Sequence, residues 1–540
     1  MDAAAPDPLQ PPAAPPSAPA REVELKLELA PADWKRLARH PLLKAALAAA
    51  PKAKRTEATY FDTPDGRLRA QGVSLRIRRT GSARIQTAKA GGKLAAALFD
   101  RAEIETPAVG DAPDLAVFAG TPLAPLFAKR KVRERLVPAF GVSVRRRTLA
   151  ITDGGFAAEM VVDEGTVRAG ERTEPVCEIE LELRAGGPAD LFAFARRIAE
   201  IVPARLGFRT KADRGFALAA GEGPRVVKKI EVALDPAMTA GAAFQAIARA
   251  CLAQLVANEQ ALRDLRAPGA IHQSRVALRR LRAAISLFKS VVEDERRRAV
   301  SAELKWMANA LGDARDLDVQ IATVVEPMRA AHPDDADLAH LAAVFAARRD
   351  AASAQAREAS TSERYRLMLI DTAAWIEAGA WLAGENPVRD ASVSDFARRL
   401  LKKRRKRIAR DGADLSTLDP ETRHELRIEV KKLRYAVEFF ETAFAAKEGK
   451  KAARVRGRRH AEMLGRLETL QEDLGALNDL AVGARMEALF DPADEALARG
   501  FAKLARPDAA EAGAEHLASA RKALAKLGKA TPFWTRAEEG

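Results

Sequence analysis

Two stretches of the chain carry the same ionisable residues at the same spacing. Each begins with a histidine and continues with cations at the third, seventh, eighth and tenth positions after it. The third, seventh and tenth positions share one face of an α-helix, so each stretch predicts a helix with a cationic face. The residues are His272, Arg275, Arg279, Arg280 and Arg282 in the first copy, and His424, Arg427, Lys431, Lys432 and Arg434 in the second.

A further shared motif shows that the duplicated segment is longer than one helix. Leu311-Gly312 follows the first stretch and Leu474-Gly475 follows the second, and an Asp-Leu pair comes after each of them. Internal repetition of this kind predicts an architecture built from two similar halves. The two histidines lack the Cys partners or the close His spacing of a zinc site, so the cations are the main chemical feature of the repeat.

The N-terminal part of the chain predicts strands with one ionic face. Charged residues alternate with apolar ones, as in Glu22-Val-Glu24-Leu-Lys26, and residues two apart lie on the same face of a strand. One solvated face of an ordinary antiparallel sheet would explain any single strand. Charges of both signs on about eight strands favour a closed barrel with an ionic interior. The predicted strands are roughly 22–29, 57–62, 73–79, 84–89, 101–106, 142–151, 156–163 and 176–183.

The order of the charged motifs resembles that of a known family. The motifs are Glu22-x-Glu24-x-Lys26, Tyr60-Phe-Asp-Thr-Pro64, Arg76-x-Arg78, Lys89, Arg101-Ala-Glu103, Arg145-Arg146-Arg147, Asp163, Glu178-x-Glu180 and Lys211. This series resembles the CYTH family of triphosphate tunnel metalloenzymes over about residues 20–220. The resemblance implies an eight-stranded tunnel that binds a triphosphate and hydrolyses it with Mg²⁺ or Mn²⁺.

The resemblance also implies roles for individual residues. Several Arg and Lys donors are needed to bind a triphosphate, and oxygen ligands suit a hard divalent cation that neutralises charge and activates water. Which of Arg145 to Arg147 faces the tunnel and which carboxylate is the general base stay open, and Lys26 and Lys211 would contact either phosphate or a neighbouring Glu. The implied assignments are Lys26, Lys89 and Asp163 as catalytic; Arg76, Arg78, Arg146 and Lys211 as substrate-binding; and Glu22, Glu24, Asp163, Glu178 and Glu180 as metal ligands.

The C-terminal part changes to an Ala-, Leu- and Arg-rich sequence with helical periodicity. Its duplicated motifs resemble the CHAD domain over about residues 231–535, which implies binding of inorganic polyphosphate by the ten repeat residues named above. A dense basic run at residues 396–410 predicts either a solvated helix face or a nucleic-acid patch. Nucleic acid is the less favoured partner, because only 5% of the residues are aromatic and stacking platforms are lacking.

Composition sets the overall organisation. With 540 residues, 48% of them hydrophobic, the chain is long enough for several domains with real cores. The net charge of +15 predicts anionic partners, and only two cysteines indicate a reducing compartment. We therefore predict a cytoplasmic α+β multidomain protein that associates with polyphosphate granules and not with a membrane; its oligomeric state is left open. The predicted segments are a disordered Pro/Ala-rich tail (1–20), an eight-stranded antiparallel β tunnel with flanking helices (21–220), a linker (221–230) and an all-α duplicated bundle (231–535, with repeats of about 231–390 and 391–535).

Two other functions compete with inorganic triphosphate hydrolysis. The same tunnel would serve an adenylate cyclase or a hydrolase of organic triphosphates, although no base-binding pocket is evident in the sequence. A non-enzymatic scaffold on polyphosphate granules would use the tunnel for binding alone. The set of acids argues against the scaffold, because a pure polyanion binder would gain affinity by losing those charges.

Overall fold

The computed structural model describes residues 23–95, 98–223, 225–263, 268–445, 449–487, 494–504 and 509–535. The predicted tail and Glu22 lie outside these ranges. The chain divides into two compact units. The N-terminal unit comprises Met1–Leu191 and Arg209–Gly223, and the helical unit comprises Phe192–Phe208 and Pro224–Gly540.

Antiparallel strands dominate the first part of the chain. All eight predicted strand segments are found, and a further strand of two residues, too short for a visible alternation, was missed. The strands are β1 (Glu24–Glu28), β2 (Lys54–Asp62), β3 (Val73–Thr80), β4 (Ala83–Ala95), β5 (Leu98–Pro107), β6 (Val137–Asp153), β7 (Phe156–Ala169), β8 (Arg172–Ala185) and β9 (Arg205–Leu206).

The strands form one sheet in the order β5-β4-β3-β2-β6-β7-β8-β1-β9. In addition, β1 pairs with β5 through two residues, Glu24 and Leu25. The antiparallel arrangement is confirmed. The predicted eight-stranded barrel is not confirmed, because the sheet contains nine strands.

The ionic face of this sheet is covered rather than solvated. On β1, Leu25 and Leu27 are fully buried on one face, and Lys26 on the opposite face is only 3% exposed. Asp163 on β7 and Glu178 on β8 are completely buried. The sheet therefore buries charge on one face and hydrocarbon on the other, which an ordinary sheet with one wet face would not do.

Short helices flank the strands of the N-terminal part, as predicted. The helix α7 begins next to the ionic face, where a capping box between Thr210 and Asp213 fixes its first turn. The helices of this part are α1 (Pro31–Leu37), α2 (Pro41–Ala49), α3 (Arg67–Ala70), α4 (Ala124–Phe127), α5 (Arg130–Arg133), α6 (Pro188–Ile201) and α7 (Lys211–Ala219), with a 3₁₀ turn at Ala116–Phe118.

The helical unit is α-helical from residue 240 onward in the part that the structure describes. A π-helical segment (Ile321–Val325) and a 3₁₀ turn (Ala380–Leu382) interrupt it. Its helices are α8 (Ala240–Ala257), α9 (Glu259–Arg263), α10 (Pro268–Leu287), α11 (Arg296–Ala310), α12 (Gly312–Gln320), α13 (Glu326–Ala331), α14 (Ala336–Thr361), α15 (Glu363–Ala378), α16 (Pro387–Asp390), α17 (Val393–Asp411), α18 (Pro420–Phe439), α19 (Lys450–Glu487), α20 (Glu495–Leu504) and α21 (Ala509–Lys529).

The two halves of the helical unit meet at equivalent positions. Thr239 and Ser392, whose side chains cap α8 and α17, form an isolated antiparallel bridge. Phe288 and Phe440, each sixteen residues after its repeat histidine, have ring centroids 5.6 Å apart. Contact between equivalent residues is expected where an approximate two-fold axis relates two copies of a motif. The duplication seen in the sequence is thus also a duplication in the fold.

One segment of the helical unit, Ala240–Arg263, has the length and composition of a membrane span, with a mean hydropathy of 1.3. About 67% of that window is buried inside the protein. A single helix of this kind is weak evidence for a membrane, and the burial is that of a core helix.

Candidate active site and cationic helical surface

The ionic face of the sheet lines a cavity of about 580 Å³ in the N-terminal unit. Its lining is almost entirely polar, with Val161 and Ala212 as the aliphatic exceptions. The charged lining residues are Glu24, Lys26, Arg76, Arg78, Lys89, Glu103, Glu105, Arg146, Glu159, Glu180, Glu182 and Lys211.

Three carboxylates form an acid cluster that borders this cavity: Glu180 lines it, whereas Asp163 and Glu178 are fully buried next to Glu180 and are not among the lining residues. Asp163, Glu178 and Glu180 each offer an oxygen within 4.8 Å of the others. Strand register explains the arrangement: Asp163 on β7 lies directly opposite Glu178 on β8, and Glu180 is two residues further along the same face. These are three of the five predicted metal ligands.

Two lysines hold the acid cluster together. The Lys26 ammonium lies 2.9 Å from Glu178 Oε1 and 2.7 Å from Glu180 Oε1. Lys211 lies 2.6 Å from Asp163 Oδ2 and also pairs with Glu178 and Glu180. Burial disfavours the charged form of Lys26, but the carboxylates outweigh it and hold the pKa of Lys26 well above its usual value. Of the two roles open for these lysines, the structure shows the pairing with glutamate.

Arg146 is the member of the arginine triplet that lines the cavity. Its guanidinium binds Asp163 through two hydrogen bonds, with Nε 2.8 Å from Oδ1 and Nη2 2.6 Å from Oδ2. Burial raises the pKa of Asp163, but Lys211 and Arg146 outweigh it, so the pKa is lowered and the carboxylate stays ionised. Arg145 and Arg147 are not among the lining residues.

A second group of charges, the mixed cluster, occupies β3, β4 and β5. Lys89 Nζ lies 2.7 Å from Glu103 Oε2, directly across the strands. Arg78 Nη2 lies 3.2 Å from Glu105 Oε1, and Arg76 is 3.8 Å from Glu103. Three predicted phosphate-contacting residues are thus brought together, each beside an acid.

Glu24 interacts electrostatically with both clusters, through Glu180, Lys26 and Lys211 of the first and Lys89 of the second. Burial and the nearby charge of Glu180 raise the pKa of Glu24 to about 6. Glu22, the fifth predicted metal ligand, lies outside the described residues.

The acid cluster fits a hard divalent cation by its donor set. All three donors are carboxylates, which Mg²⁺ and Mn²⁺ prefer. Glu178 Oε2 is buried and has no hydrogen-bond partner within the described part of the chain. A buried carboxylate oxygen of this kind is costly unless something binds it. The residues present therefore fit a metal ion.

Several cavity residues were not assigned from the sequence. Glu103 and Glu105 belong to a charged strand, but their pairing with Lys89 and Arg78 depends on register, which the sequence did not give. Tyr60 accepts a hydrogen bond from Arg76 Nη1 at 3.3 Å. Its position inside the Tyr-Phe-Asp-Thr-Pro motif was the available signal.

Packing behind Tyr60 positions the start of α7. The Tyr60 ring stacks on Phe140 with centroids 4.6 Å apart. A Cβ at Gly215 would lie only 2.0 Å from the Phe140 ring, so α7 approaches this ring as closely as glycine allows. This packing places Lys211, the first residue of α7, within the acid cluster.

Asp62 of the same motif is structural. Its carboxylate accepts hydrogen bonds from the backbone amides of Thr63, Leu68 and Arg69 at 2.7 to 3.0 Å. These bonds satisfy amides at the start of α3, which otherwise lack partners.

In the helical unit, the first repeat lies on α10. Arg279 is exposed, whereas His272, Arg275 and Arg282 are half-buried. Burial, and then the charges of Arg315, Arg279 and Arg275, lower the pKa of His272. Arg280 is only 3% exposed, with its guanidinium 5.4 Å from the centre of the Phe439 ring. The structure thus places Arg280 in the core and away from the predicted polymer surface.

The second repeat lies on α18. His424 is exposed and its Nδ1 lies 3.1 Å from Asn478 Oδ1. Arg427, Lys431, Lys432 and Arg434 are half-buried. Lys432 pairs with Glu429 at 2.7 Å, and Arg434 pairs with Glu438 at 2.5 Å. The predicted cations of this copy are present at the helix surface but share it with acids.

The basic run forms α17, and one side of this helix carries cations without acids. Arg404 reaches Glu429 at 2.8 Å, and Arg405 donates to the carbonyl of Gly528 at 2.6 Å. The remaining exposed cations of this side form the basic stripe, which consists of Arg399, Lys402, Lys403 and Lys406. No acid in the described part of the chain lies within salt-bridge distance of the basic stripe. These positions follow helical spacing and so share one face.

Comparison with known proteins agrees with the division of the chain into an N-terminal part and a helical part. Residues 20–216 match the CYTH domain, and residues 246–488 match the CHAD domain. A Haemophilus influenzae inorganic triphosphatase is 31% identical over 161 residues, which is 30% of this chain and 45% of that protein. The chain thus spans less than half of that relative's length.

Solved structures are similar to each part. The CHAD domain of Ricinus communis is 28% identical, with a TM-score of 0.48, over 56% of this chain and 98% of that one. A Hippeastrum protein described as an adenylyl cyclase with a dominant triphosphatase activity is 19% identical, with a TM-score of 0.27, over 37% of this chain and 97% of that one. The family matches, at the two ends of a single polypeptide, identify this chain as a protein with a CYTH domain followed by a CHAD domain.

Proposed function

We propose that the N-terminal cavity hydrolyses inorganic triphosphate with a divalent cation, and that the helical unit binds inorganic polyphosphate. One observation carries the first proposal: a single cavity is lined by many arginines and lysines and borders a cluster of three carboxylates, with acids and cations paired in both parts of it. A polyanionic substrate that is bound together with a metal ion requires both.

Arg76, Arg78, Lys89 and Arg146 are proposed to bind the phosphates. Guanidinium groups match phosphate oxygens through paired hydrogen bonds, and the buried setting strengthens each contact. Glu103, Glu105 and Asp163 form ion pairs with Lys89, Arg78 and Arg146, respectively. These pairs hold the three cations in position before the substrate binds. The cations then stabilise the negative charge that spreads over the transferred phosphoryl group.

Asp163, Glu178 and Glu180 are proposed to hold the metal, with Glu24 beside them. When bound, a divalent cation neutralises charge on the phosphate oxygens and lowers the pKa of water. Lys26 and Lys211 pair with Glu178 and Glu180 and fix the carboxylates within the cluster in its absence. The lining is mostly charged, with Tyr60 as its one aromatic residue among those described, and so many charges favour an inorganic substrate over one with a nucleobase.

The helical unit supports a different kind of binding. Arg279 and the basic stripe lie at its surface, and a flexible polyanion gains affinity from such charges by releasing counterions. Of the other predicted contacts, His272, Arg282, His424, Lys431, Lys432 and Arg434 are included in this proposal, whereas Arg275 and Arg427 are assigned a positioning role below. Binding of polyphosphate would place the protein at polyphosphate granules in the cytoplasm.

Initial rates with a panel of substrates test the proposal. The purified full chain is assayed with inorganic triphosphate, long-chain polyphosphate, ATP and thiamine triphosphate, each with Mg²⁺ or Mn²⁺. We expect the highest kcat/KM with inorganic triphosphate. A higher value with ATP or thiamine triphosphate would assign the cavity to organic triphosphates, and no turnover with any substrate would favour the scaffold.

A further inference from the structure

A glycine lies beneath an arginine at the same place in each repeat. A Cβ at Gly312 would lie 2.9 Å from Arg275 Nη1. A Cβ at Gly475 would lie 3.2 Å from Arg427 Nη2, 3.5 Å from Nε and 3.8 Å from Cζ, so the guanidinium covers this glycine. A methyl group at Gly312 would require Arg275 Nη1 to shift, and one at Gly475 would require the Arg427 guanidinium to move by a few tenths of an ångström.

The contact recurs although the sequence between its partners differs in length. Arg275 and Gly312 are 37 residues apart, whereas Arg427 and Gly475 are 48 apart. Eleven extra residues in the second copy therefore leave the contact intact. A contact kept across such a difference reflects the packing of the two helices rather than a local turn.

The histidines meet the same helices one turn further on. His424 contacts Asn478, which is three residues after Gly475. In the first copy, Arg315 occupies the place three residues after Gly312, and its charge acts on His272. In the second copy, α18 thus approaches α19 through both Arg427 and His424, whereas in the first copy α10 approaches α12 through Arg275, and only the charge of Arg315 acts on His272.

Arg275 is engaged in contacts between helices. Arg275 Nη1 donates to the carbonyl of Ala308 at 3.2 Å, and Nη2 lies 3.4 Å from Asp316 Oδ1. Ala308 belongs to the last turn of α11, where carbonyls lack partners within the helix. Arg275 therefore joins α10 to the junction between α11 and α12.

We propose that Gly312 and Gly475 provide the space in which the guanidinium groups of Arg275 and Arg427 lie, an arrangement that we call the seat. We further propose that these two arginines are positioning residues for the cationic helices. By fixing how α10 and α18 are rotated, they orient the cations four residues further along, Arg279 and Lys431. The functional consequence rests on the proposed polyphosphate binding, whereas the seat itself does not.

A double-mutant cycle tests the seat independently of any ligand. Gly465 lies in the same helix as Gly475, and a Cβ there would have no neighbour within 4 Å. Gly465→Ala should raise the unfolding temperature by ~1–3 °C, because alanine favours the helix. In the wild-type background, Gly475→Ala should not raise the unfolding temperature, because the methyl group meets the Arg427 guanidinium. In the Arg427→Lys background, the same substitution should raise the unfolding temperature as Gly465→Ala does, because the flexible ammonium can move aside. Equal shifts for Gly475→Ala in both backgrounds would overturn the seat.

Polyphosphate binding tests the positioning role. The variant Gly312→Ala/Gly475→Ala keeps every charge, and we expect a several-fold weaker affinity for long-chain polyphosphate. The slope of log affinity against log salt should stay as in the wild type, because the number of phosphate contacts is unchanged. The matched control, Gly457→Ala/Gly465→Ala, should bind as the wild type does.

Two outcomes would contradict the positioning role. Wild-type affinity of Gly312→Ala/Gly475→Ala would show that the seats do not orient the polymer surface. A salt slope reduced by about 1.4 would show that the displaced arginines themselves contact phosphate. If the wild type bound no polyphosphate, the proposed function of the helical unit would be wrong, and the double-mutant cycle would still decide the seat.

Discussion

The cavity and α17 both concentrate cations, but only the cavity matches them with acids. Lys26, Lys211 and Arg146 each contact members of the acid cluster, within 3.1 Å for the two lysines and down to 2.6 Å for Arg146. The basic stripe of α17, by contrast, has no acid partner in the part of the chain that the structure describes. Buried charges need partners because desolvation is expensive, whereas exposed charges are stabilised by water.

This difference corresponds to the two proposed modes of anion binding. A cavity with internal partners is preorganised for a small substrate and its metal ion, and salt should screen it weakly. An exposed stripe should bind a long polyanion with strong salt dependence and little geometric selection. The following predictions would break or sharpen this contrast, beginning with the largest effect.

Removing one charge from the acid cluster should have the largest effect. Glu180→Gln or Asp163→Asn should lower kcat for triphosphate by at least ~100-fold, because an amide keeps the volume but weakens both ligation and electrostatic preorganisation. Circular dichroism should show an unchanged fold. Glu171→Gln, at an exposed turn, is the control. Full activity of both cluster variants would remove the acids from the site.

Removing a cation from the mixed cluster should have an intermediate effect. Arg76→Ala or Arg78→Ala should reduce kcat/KM about ten- to 150-fold, which corresponds to ~1.5–3 kcal/mol for a hydrogen bond to a charged group. Arg79→Ala is a close control, since Arg79 is on the same strand but exposed and paired with Glu57. Equal rates for all three variants would mean that β3 does not serve the substrate.

Charge reversal on the helical surface should affect polymer binding alone. Arg279→Glu/Lys431→Glu should weaken binding of long-chain polyphosphate and reduce its salt slope by roughly 1.4, as expected for two lost contacts with a single-stranded polyanion. Triphosphate hydrolysis should persist. Neutralising Lys402, Lys403 and Lys406 to Gln provides the comparison. If only this triple variant loses affinity, the basic stripe is the main contact and the cations of α10 and α18 are not.

The smallest expected effect is a pH dependence from His272. Burial and neighbouring arginines lower its pKa, so it stays neutral at and somewhat below its usual midpoint near 6.5. Protonation adds positive charge only at more acidic pH, and any gain in polyphosphate affinity from His272 should appear there. Affinity measured from pH 7.5 to 5, with His272→Ala as reference, checks this. A gain complete by pH 6.5 and lost in His272→Ala would contradict it.

The sequence predicted which residues share the charged face better than it predicted which of them pair with each other. Period-two alternation placed Lys26, Asp163, Glu178 and Glu180 on one face, and all four lie together in the structure. The pairing of Lys89 with Glu103 required strand register, which alternation alone leaves undefined. The alternation also gave no sign of the two-residue strand β9.

The repeat shows a second limit, set by helix geometry. Successive residues on an α-helix point about 100° apart, so Arg279 and Arg280 cannot face the same surface. The spacing placed Arg279 on the same face as Arg275 and Arg282 and left Arg280 off it, but it did not show which of the two residues is buried. In the structure, Arg280 packs against Gln254 and Phe439 and is therefore the buried member of the pair.

The most direct test of the central claim is to locate Mn²⁺ in crystals that contain inorganic triphosphate. Anomalous diffraction should place the ion on oxygens of Asp163, Glu178 and Glu180, with triphosphate in contact with Arg76, Arg78 or Arg146 in the same cavity. Crystals of Asp163→Asn should show a weakened peak. A triphosphate bound in this cavity without Mn²⁺ on the acid cluster, or Mn²⁺ bound elsewhere in an active crystal, would contradict the account.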